Sequence, residues 1–224
     1  MLNQALTIKL KKQDIRNIVS TPNPAMNEHD RDEMAIPSYL HSNPLIRWLM
    51  WRRYEVIAQM AQLKPGQSVF EFGCGVGLFL PTLAQRTGRV FAMDLFPQYA
   101  KELVRQRSLS VTFLKDLEDL EDESLDLIIA ADVMEHLDEP SKYAAAFHRK
   151  LKKGGRLVIS GPTESGIYKV GRFIAGFSGK GDYHHTNVDR LEVDIKGAGF
   201  EHEKMVPLPF ALGPALFKIH LFRK

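Results

Sequence analysis

The chain has 224 residues, of which 44% are hydrophobic and 25% charged, and its formal net charge is +3. This length predicts one domain with an elaborated end, and the mild basicity does not favour a dedicated nucleic-acid binder. The single cysteine excludes an internal disulfide, no Cys/His spacing is typical of zinc, and no apolar run could span a membrane. We therefore expect a cytoplasmic protein without a metal or a nucleic-acid partner.

The N-terminal part differs in pattern from the rest of the chain. Residues 1–42 carry turn and charge signals without a sustained hydrophobic period, and we predict an irregular leader there. Residues 44–63 place apolar side chains at three- and four-residue steps, which predicts a helix. We therefore assign 43–224 to the main domain.

Short apolar runs then alternate with helical patterns. The predicted strands are 68–72, 89–94, 110–114, 125–131 and 156–160, and the predicted helices between them are 78–86, 97–107 and 140–151. This alternation indicates a parallel sheet covered by helices on both faces. Glycine, aromatic and basic residues mix at about 161–185, where we predict a lid or insertion. A helix at 189–196 and extended segments at 200–207 and 215–222 come next, and the two segments favour an antiparallel hairpin at the sheet edge.

A glycine-rich loop comes after the first predicted strand. The stretch from Val69 to Gly77 reads Val-Phe-Glu-Phe-Gly-Cys-Gly-Val-Gly. Glycine allows a tight turn and a close approach of a ligand to the backbone. The loop lacks the Lys-Ser/Thr ending of a phosphate-binding P-loop, and Leu78 stands where the dinucleotide fingerprint needs its third glycine. A glycine loop alone is weak evidence, so its meaning depends on the later strands.

Acidic residues follow each of the next three strands. Asp94 ends the second strand, where a carboxylate suits ribose hydroxyls, Asp116 follows the third, and Asp132 follows the fourth. The glycine loop and these acids, in this order, resemble the class I, Rossmann-like S-adenosylmethionine-dependent methyltransferases. The segment Val-Met-Glu-His-Leu at 133–137 resembles the type 11 group of small-molecule methyltransferases. The Lys-Lys-Gly-Gly segment at 152–155 is similar to that group's Leu-Lys-Pro-Gly-Gly region, with Lys153 in place of proline.

The resemblance implies a fold and a cofactor. The implied fold is α/β, a Rossmann-like three-layer sandwich with a mostly parallel seven-stranded sheet and an antiparallel C-terminal hairpin strand, with 43–224 as the methyltransferase domain. The implied cofactor is S-adenosyl-L-methionine. The residues we expect to bind it are Glu71, Gly73, Cys74, Gly75, Gly77, Asp94, Leu95, Asp116, Leu117 and Asp132.

The implied chemistry is in-line methyl transfer to a small-molecule or lipid-like acceptor. His136, after the fourth strand, is the candidate general base if the acceptor must lose a proton, although a structural role at a helix start fits it equally well. Tyr168, His184 and His185 of the predicted lid are candidate substrate residues. Base-methylating enzymes often carry Asn/Asp-Pro-Pro-Tyr after the fourth strand, and its absence argues against a DNA amino group as acceptor.

Two alternative functions remain open, and so does peripheral contact with a membrane. A catalytically inactive, methyltransferase-like binding subunit would keep the same cofactor motifs, and a nicotinamide-dependent oxidoreductase is disfavoured by Leu78. The helix around Trp48 and Trp51 mixes tryptophan with Arg47, Arg52 and Arg53, which is the basis for expecting peripheral contact with a membrane. Packing of the same aromatic residues on the domain is the competing interpretation. The oligomeric state leaves no mark in the sequence.

Overall fold

The computed structural model describes residues 7–24, 26–27, 34–163, 187–210 and 215–224. The chain divides into two compact units, Met1–Asp116 and Leu117–Lys224. Within the described ranges, no helix is both long enough and apolar enough to cross a membrane. Each unit contributes strands and helices, and we take the two in turn.

The first unit contains five helices and three strands among its described residues. The helices are α1 (Lys12–Val19), α2 (Ile36–Leu40), α3 (Pro44–Ala61), α4 (Leu80–Arg86) and α5 (Gln98–Gln106). The strands are β1 (Ser68–Phe72), β2 (Arg89–Met93) and β3 (Thr112–Phe113), and they pair in parallel in the order β3-β2-β1. Every residue of β1 is buried, which its continuous apolar sequence predicts for a parallel strand covered on both faces.

The predicted irregular leader is wrong in part, because its described residues include α1 and α2. The side chains of Ile15 and Ile18 in α1 are buried in a core cluster that also contains Trp51, Tyr99 and Leu103. A helix of eight residues is marginal in isolation and depends on such tertiary packing, so its local sequence carried too little signal. The predicted helix at 44–63 is confirmed as α3, which begins after Asn43, whose side chain accepts from the Leu45 amide.

The second unit contains two helices and four strands among its described residues. These are β4 (Leu125–Ala131), α6 (Pro140–Lys150), β5 (Leu151–Pro162), α7 (Val188–Gly197), β6 (Glu201–Leu208) and β7 (Phe217–Arg223). Strand β5 runs parallel to β4 and antiparallel to β7, and β7 pairs antiparallel with β6. The predicted C-terminal hairpin is therefore confirmed.

All seven strands form one sheet in the order β3-β2-β1-β4-β5-β7-β6. The expectation of an α/β fold with a mostly parallel seven-stranded sheet is confirmed, and β6 is the edge strand of the hairpin. Several boundaries differ from the predictions, and the largest difference is in β5, which spans Leu151–Pro162 rather than 156–160. Leu151 pairs with Leu125 of β4, Gly154 donates to the Lys224 carbonyl and the Lys224 amide donates to the Gly155 carbonyl, so partners far along the chain extend the strand.

Candidate functional site

The glycine loop leaves β1 with three residues in the left-handed region. Gly73, Gly75 and Gly77 have φ angles of +71°, +52° and +79°. Residues with a Cβ rarely adopt this conformation, so the alternating glycines are required by the turn itself. The sequence-based prediction of a tight glycine turn after the first strand is thus confirmed.

Gly75 and Gly77 have different surroundings. A Cβ added at Gly77 would lie 3.0 Å from the Cα of Ala100 and 3.0 Å from Leu80, so this glycine lets α5 pack closely against the loop. A Cβ added at Gly75 would have no atom within 4 Å. Gly75 therefore faces open space, which is where a ligand can approach the backbone.

The amide groups of the loop bond mainly to the protein itself. Gly73 and Cys74 donate to the Met93 carbonyl at 2.9 and 3.1 Å, and Gly77 donates to the Cys74 carbonyl at 2.7 Å. The Gly75 amide donates to Asp94. The glycine pattern alone would leave these N–H groups free for a ligand. The structure instead uses them to fix the loop, because buried amides need acceptors.

Asp94 follows β2 and is held by two backbone amides. Gly75 N–H donates to Oδ2 at 2.7 Å and Phe96 N–H donates to Oδ1 at 2.9 Å. Burial raises the pKa of Asp94, and these two amides oppose that rise. Each carboxylate oxygen can accept more than one hydrogen bond, so Asp94 is oriented and still able to receive further donors.

Glu71 lies in the middle of β1 and is 2% exposed. Burial, with a contribution from the Asp94 charge, raises the pKa of Glu71 to about 8. Its buried Oε2 has no hydrogen-bond partner among the residues that the structure describes. A buried polar atom without a partner is costly, so this oxygen is suited to a donor supplied by a ligand.

Three further candidate cofactor-binding residues are Leu95 and Asp116 in the first unit and Leu117 at the start of the second. Leu95 is 88% exposed, which is unusual for a large apolar side chain beside a half-buried aspartate. Asp116 is exposed after β3, whereas the Leu117 side chain is buried in the short 3-10 helix Leu117–Asp119. Leu95 and Asp116 are thus open to a ligand, and Leu117 contributes packing through its side chain.

Cys74 is buried in the loop, and burial raises the pKa of its thiol well above the usual value. The nearby Asp94 charge acts in the same direction. The thiol therefore stays protonated at neutral pH, which disfavours a role for Cys74 as a nucleophile.

In the second unit, Asp132 follows β4 in the left-handed region, with a φ of +52°. Its carboxylate accepts from the Ser160 hydroxyl at 3.0 Å, and its amide donates to the Ser160 carbonyl at 3.0 Å. A non-glycine residue in this conformation is strained and occurs preferentially at functional sites. His136 ends the short 3-10 helix Met134–His136 and is half-buried.

Sequence reasoning missed Ser160 and Tyr54. Ser160 is a fully buried polar residue near the end of an apolar strand, and that contrast was the available signal. The Tyr54 ring stacks on Phe79 at 4.8 Å between centroids, and the Glu71 charge, after burial and Tyr39, helps to raise the pKa of its phenol. Nothing local in α3 indicated that Tyr54 would lie near Glu71. The candidate substrate residues Tyr168, His184 and His185 lie outside the described residues.

The sheet order, the glycine turn and the oriented aspartate after β2 define a Rossmann-like α/β protein. A family model described as a methyltransferase domain matches residues 70–159. The matched region is therefore similar to methyltransferase domains, as the sequence motifs implied, and its Rossmann-like fold is shared with a solved S-adenosylmethionine-dependent methyltransferase.

Similar proteins agree with this assignment. A ubiquinone biosynthesis O-methyltransferase of Xanthomonas axonopodis pv. citri (strain 306) is 29% identical over 160 residues, which are 64% of this chain and 66% of that protein. The chain thus spans about two thirds of the length of that curated relative. Magnesium protoporphyrin IX methyltransferase from Synechocystis PCC 6803 has a TM-score of 0.66 at 19% identity, covering 96% of this chain and 100% of the other. A methyltransferase from Aquifex aeolicus gives 0.61 at 20% identity, covering 96% and 99%.

Proposed function

We propose that this protein is an S-adenosylmethionine-dependent O-methyltransferase that acts on a small or lipid-like hydroxyl compound. The observation that carries the cofactor part is the open face of Gly75 beside the oriented Asp94 and the unpartnered Oε2 of Glu71. The name of the curated relative, a ubiquinone biosynthesis O-methyltransferase, supports an oxygen acceptor on a lipid-like molecule.

The donor set fits this cofactor. Asp94 would accept from the two ribose hydroxyls, a task for which its fixed carboxylate is already oriented. Glu71 would receive a donor from the charged amino-acid part of the cofactor, which would also favour its ionised form. Leu95 and Asp116 would contact the adenine, with Leu95 offering apolar surface and Asp116 an acceptor. Gly75 would permit the close approach of the ligand.

When bound, the cofactor supplies a methyl group on a positively charged sulfur, which leaves as a neutral thioether. The protein then has to position the acceptor, exclude water and remove a proton from its hydroxyl. We assign the proton to His136, because histidine is the side chain that most often acts as a general base. The neighbouring turn is held in place by the hydrogen bonds between Asp132 and Ser160. Tyr168, His184 and His185 remain candidate substrate residues.

The cofactor assignment is tested by calorimetric titration with S-adenosylhomocysteine. Asp94→Asn keeps an acceptor for one loop amide but loses the charge, and we expect affinity to fall by roughly 100-fold, since charge-assisted hydrogen bonds contribute about 1.5–3 kcal/mol each. Asp14→Asn, at a more exposed aspartate paired with Arg107, is the matched control and should bind normally. Equal affinity in both variants, or no binding by the wild type, refutes the assignment.

The role of His136 is tested with isotope-labelled cofactor and a panel of hydroxyl, amine and thiol acceptors. With a hydroxyl acceptor, His136→Ala should lower turnover by roughly 100-fold while cofactor affinity holds, because general base catalysis contributes about that much. If His136→Ala were fully active, His136 would have only a structural role. Binding of the cofactor without turnover of any acceptor would instead favour the inactive binding subunit.

We further propose that the start of α3 contacts a membrane surface that holds the acceptor. Leu45 is 70% and Trp48 44% exposed, and both are apolar. Fewer of the expected basic and aromatic side chains are available at the surface than the sequence indicated, because Arg53 and Trp51 are buried and Arg52 pairs with Glu55 at 2.9 Å. Wild-type protein should co-sediment with anionic liposomes, and Trp48→Ser should reduce this binding; equal binding by both would refute the proposal.

A further inference from the structure

Two histidines and a glutamate meet where α7 packs beside the C-terminal hairpin. Glu192 lies on α7, His202 on β6 and His220 on β7. The His220 Nδ1 atom is 3.1 Å from His202 Nε2 and 3.7 Å from Glu192 Oε2. One nitrogen or oxygen from each residue lies within 4.8 Å of the others. Neither the glycine loop nor His136 belongs to this cluster.

The register of the hairpin explains this meeting. His202 pairs with Phe222, and His220 stands two residues before Phe222 on β7. Side chains two apart share one face of a strand, and diagonal neighbours across an antiparallel pair are within reach of long side chains. Glu192 comes directly after the buried Leu191 on α7, which puts it at the edge of the helix face that packs inward.

We propose that Glu192, His202 and His220 bind a divalent zinc ion. Two imidazole nitrogens and one carboxylate oxygen form a donor set that zinc accepts, with one position left for water. In a tetrahedral zinc site with bonds of about 2.0–2.1 Å, ligand atoms are roughly 3.3 Å apart. The separations of 3.1 and 3.7 Å from His220 Nδ1 bracket that value, and the remaining separation is within 4.8 Å, so His202 and Glu192 have to approach each other to bind the same ion.

The protonation of the cluster agrees with metal binding. Burial lowers the pKa of His220 to about 4, so its ring is neutral at pH 7. The ion pair with Lys196, together with the nearby histidines, lowers the pKa of Glu192. Metal ligands need these deprotonated forms. The Lys196 ammonium contacts Glu192 Oε1 at 2.7 Å, whereas the other oxygen, Oε2, lies nearer His220.

Zinc here would join α7 to both strands of the hairpin. Loss of a metal from such a position should loosen the C-terminal edge of the sheet and leave the loop at Gly75 intact. The competing account is a hydrogen-bonded cluster that needs no metal.

The test is a titration of chelator-treated full-length protein with zinc alone, followed by competition with a chromophoric zinc indicator. We expect one zinc per chain and a rise in melting temperature on zinc addition. His202→Gln and Glu192→Gln change half-buried ligands and should fold, and each should lower zinc affinity by roughly 100-fold. Cobalt substitution should give the intense visible spectrum of tetrahedral coordination in the wild type.

Matched controls separate this site from other zinc ligands. His148→Gln on α6 and Glu201→Gln on β6 should bind zinc like the wild type, as should a His184→Gln/His185→Gln double variant. The proposal is overturned if zinc does not bind, if the two ligand variants bind as tightly as the wild type, or if affinity is lost in the double variant instead. Circular dichroism of each metal-free variant checks that it is folded.

Discussion

Both units of the molecule bury charged side chains, and a comparison of Glu71 in the first unit with Lys150 in the second shows two different environments. Glu71 is 2% exposed, and its Oε2 has no hydrogen-bond partner among the described residues. Lys150 in the second unit is 3% exposed, and its ammonium donates to the Leu120 carbonyl at 2.7 Å and pairs with Glu118 and Asp122 at 3.0 and 2.9 Å. Burial opposes the charge of both residues, but the ammonium of Lys150 has three partners, whereas Glu71 Oε2 has none in the described part of the chain.

The difference indicates that Lys150 stabilises the fold, whereas Glu71 is suited to binding a ligand. The pairing of Lys150 with two carboxylates outweighs its burial and raises its pKa, so the charge is retained and ties α6 to the chain before β4. The pKa of Glu71 is instead raised to about 8, because burial and the Asp94 charge both disfavour its ionised form. An unsatisfied group of this kind destabilises the free protein, and it becomes favourable only when a ligand supplies a donor.

Substitutions in the glycine loop should have the largest effect on cofactor affinity, and they test whether the ligand binds beside Glu71. Asparagine tolerates the left-handed conformation, so Gly75→Asn should fold while its side chain occupies the open space that a ligand needs. We expect affinity for S-adenosylhomocysteine to fall by more than about 100-fold, with the melting temperature little changed. The matched Gly77→Asn variant would collide with Ala100 and lose stability, by about 1–3 kcal/mol.

If Gly75→Asn instead bound the cofactor normally, the open space beside Glu71 would not be the ligand site. The two measurements are calorimetric affinity and the free energy of unfolding in urea. The decisive result is that Gly75→Asn loses mainly cofactor affinity, whereas Gly77→Asn loses mainly stability.

A second pair of variants compares the two buried charges directly. Lys150→Met loses the hydrogen bond and the ion pairs and should lower the free energy of unfolding by about 1–3 kcal/mol without changing cofactor affinity. Glu71→Leu should leave stability unchanged or slightly higher, and should weaken cofactor binding by roughly tenfold to 100-fold. Urea unfolding and calorimetry report both quantities. If Lys150→Met and Glu71→Leu lowered the free energy of unfolding equally, the proposed difference between the two residues would be wrong.

The smallest expected effect is in the pH dependence. The pKa of Glu71 is about 8 in the folded protein, above the ordinary value of 4.5, so the folded state holds a proton that the unfolded state has lost. Its contribution to stability is therefore full below pH 4.5 and is lost as the pH rises through 8. The slope for one proton is at most about 1.4 kcal/mol per pH unit.

Urea unfolding of the ligand-free protein at pH 6.5 to 8.5 should show this decline, and Glu71→Gln should reduce it. Cofactor affinity should change in the opposite direction and rise with pH over the same range, since a cationic donor binds the ionised carboxylate more strongly. A pH-independent difference between the wild type and Glu71→Gln would show that Glu71 does not titrate there.

Several features could be predicted from the sequence because their causes are local. The strands at 68–72 and 125–131 have their predicted bounds, since continuous apolar runs between turn signals mark buried parallel strands. The glycine turn is predictable because glycine adopts left-handed backbone at the least cost, and the position of Asp94 at the end of β2 is predictable from the strand pattern.

Other features were decided by tertiary structure, because they depend on residues far apart in the chain. Pairing with Leu125 of β4 determines where β5 begins, and burial beside Trp51 and Leu103 stabilises α1. No local pattern distinguishes the open Gly75 from the packed Gly77, since the difference lies in the position of Ala100. The cluster of Glu192, His202 and His220 likewise has no sequence spacing typical of a metal site, because strand register and helix packing bring its three side chains together.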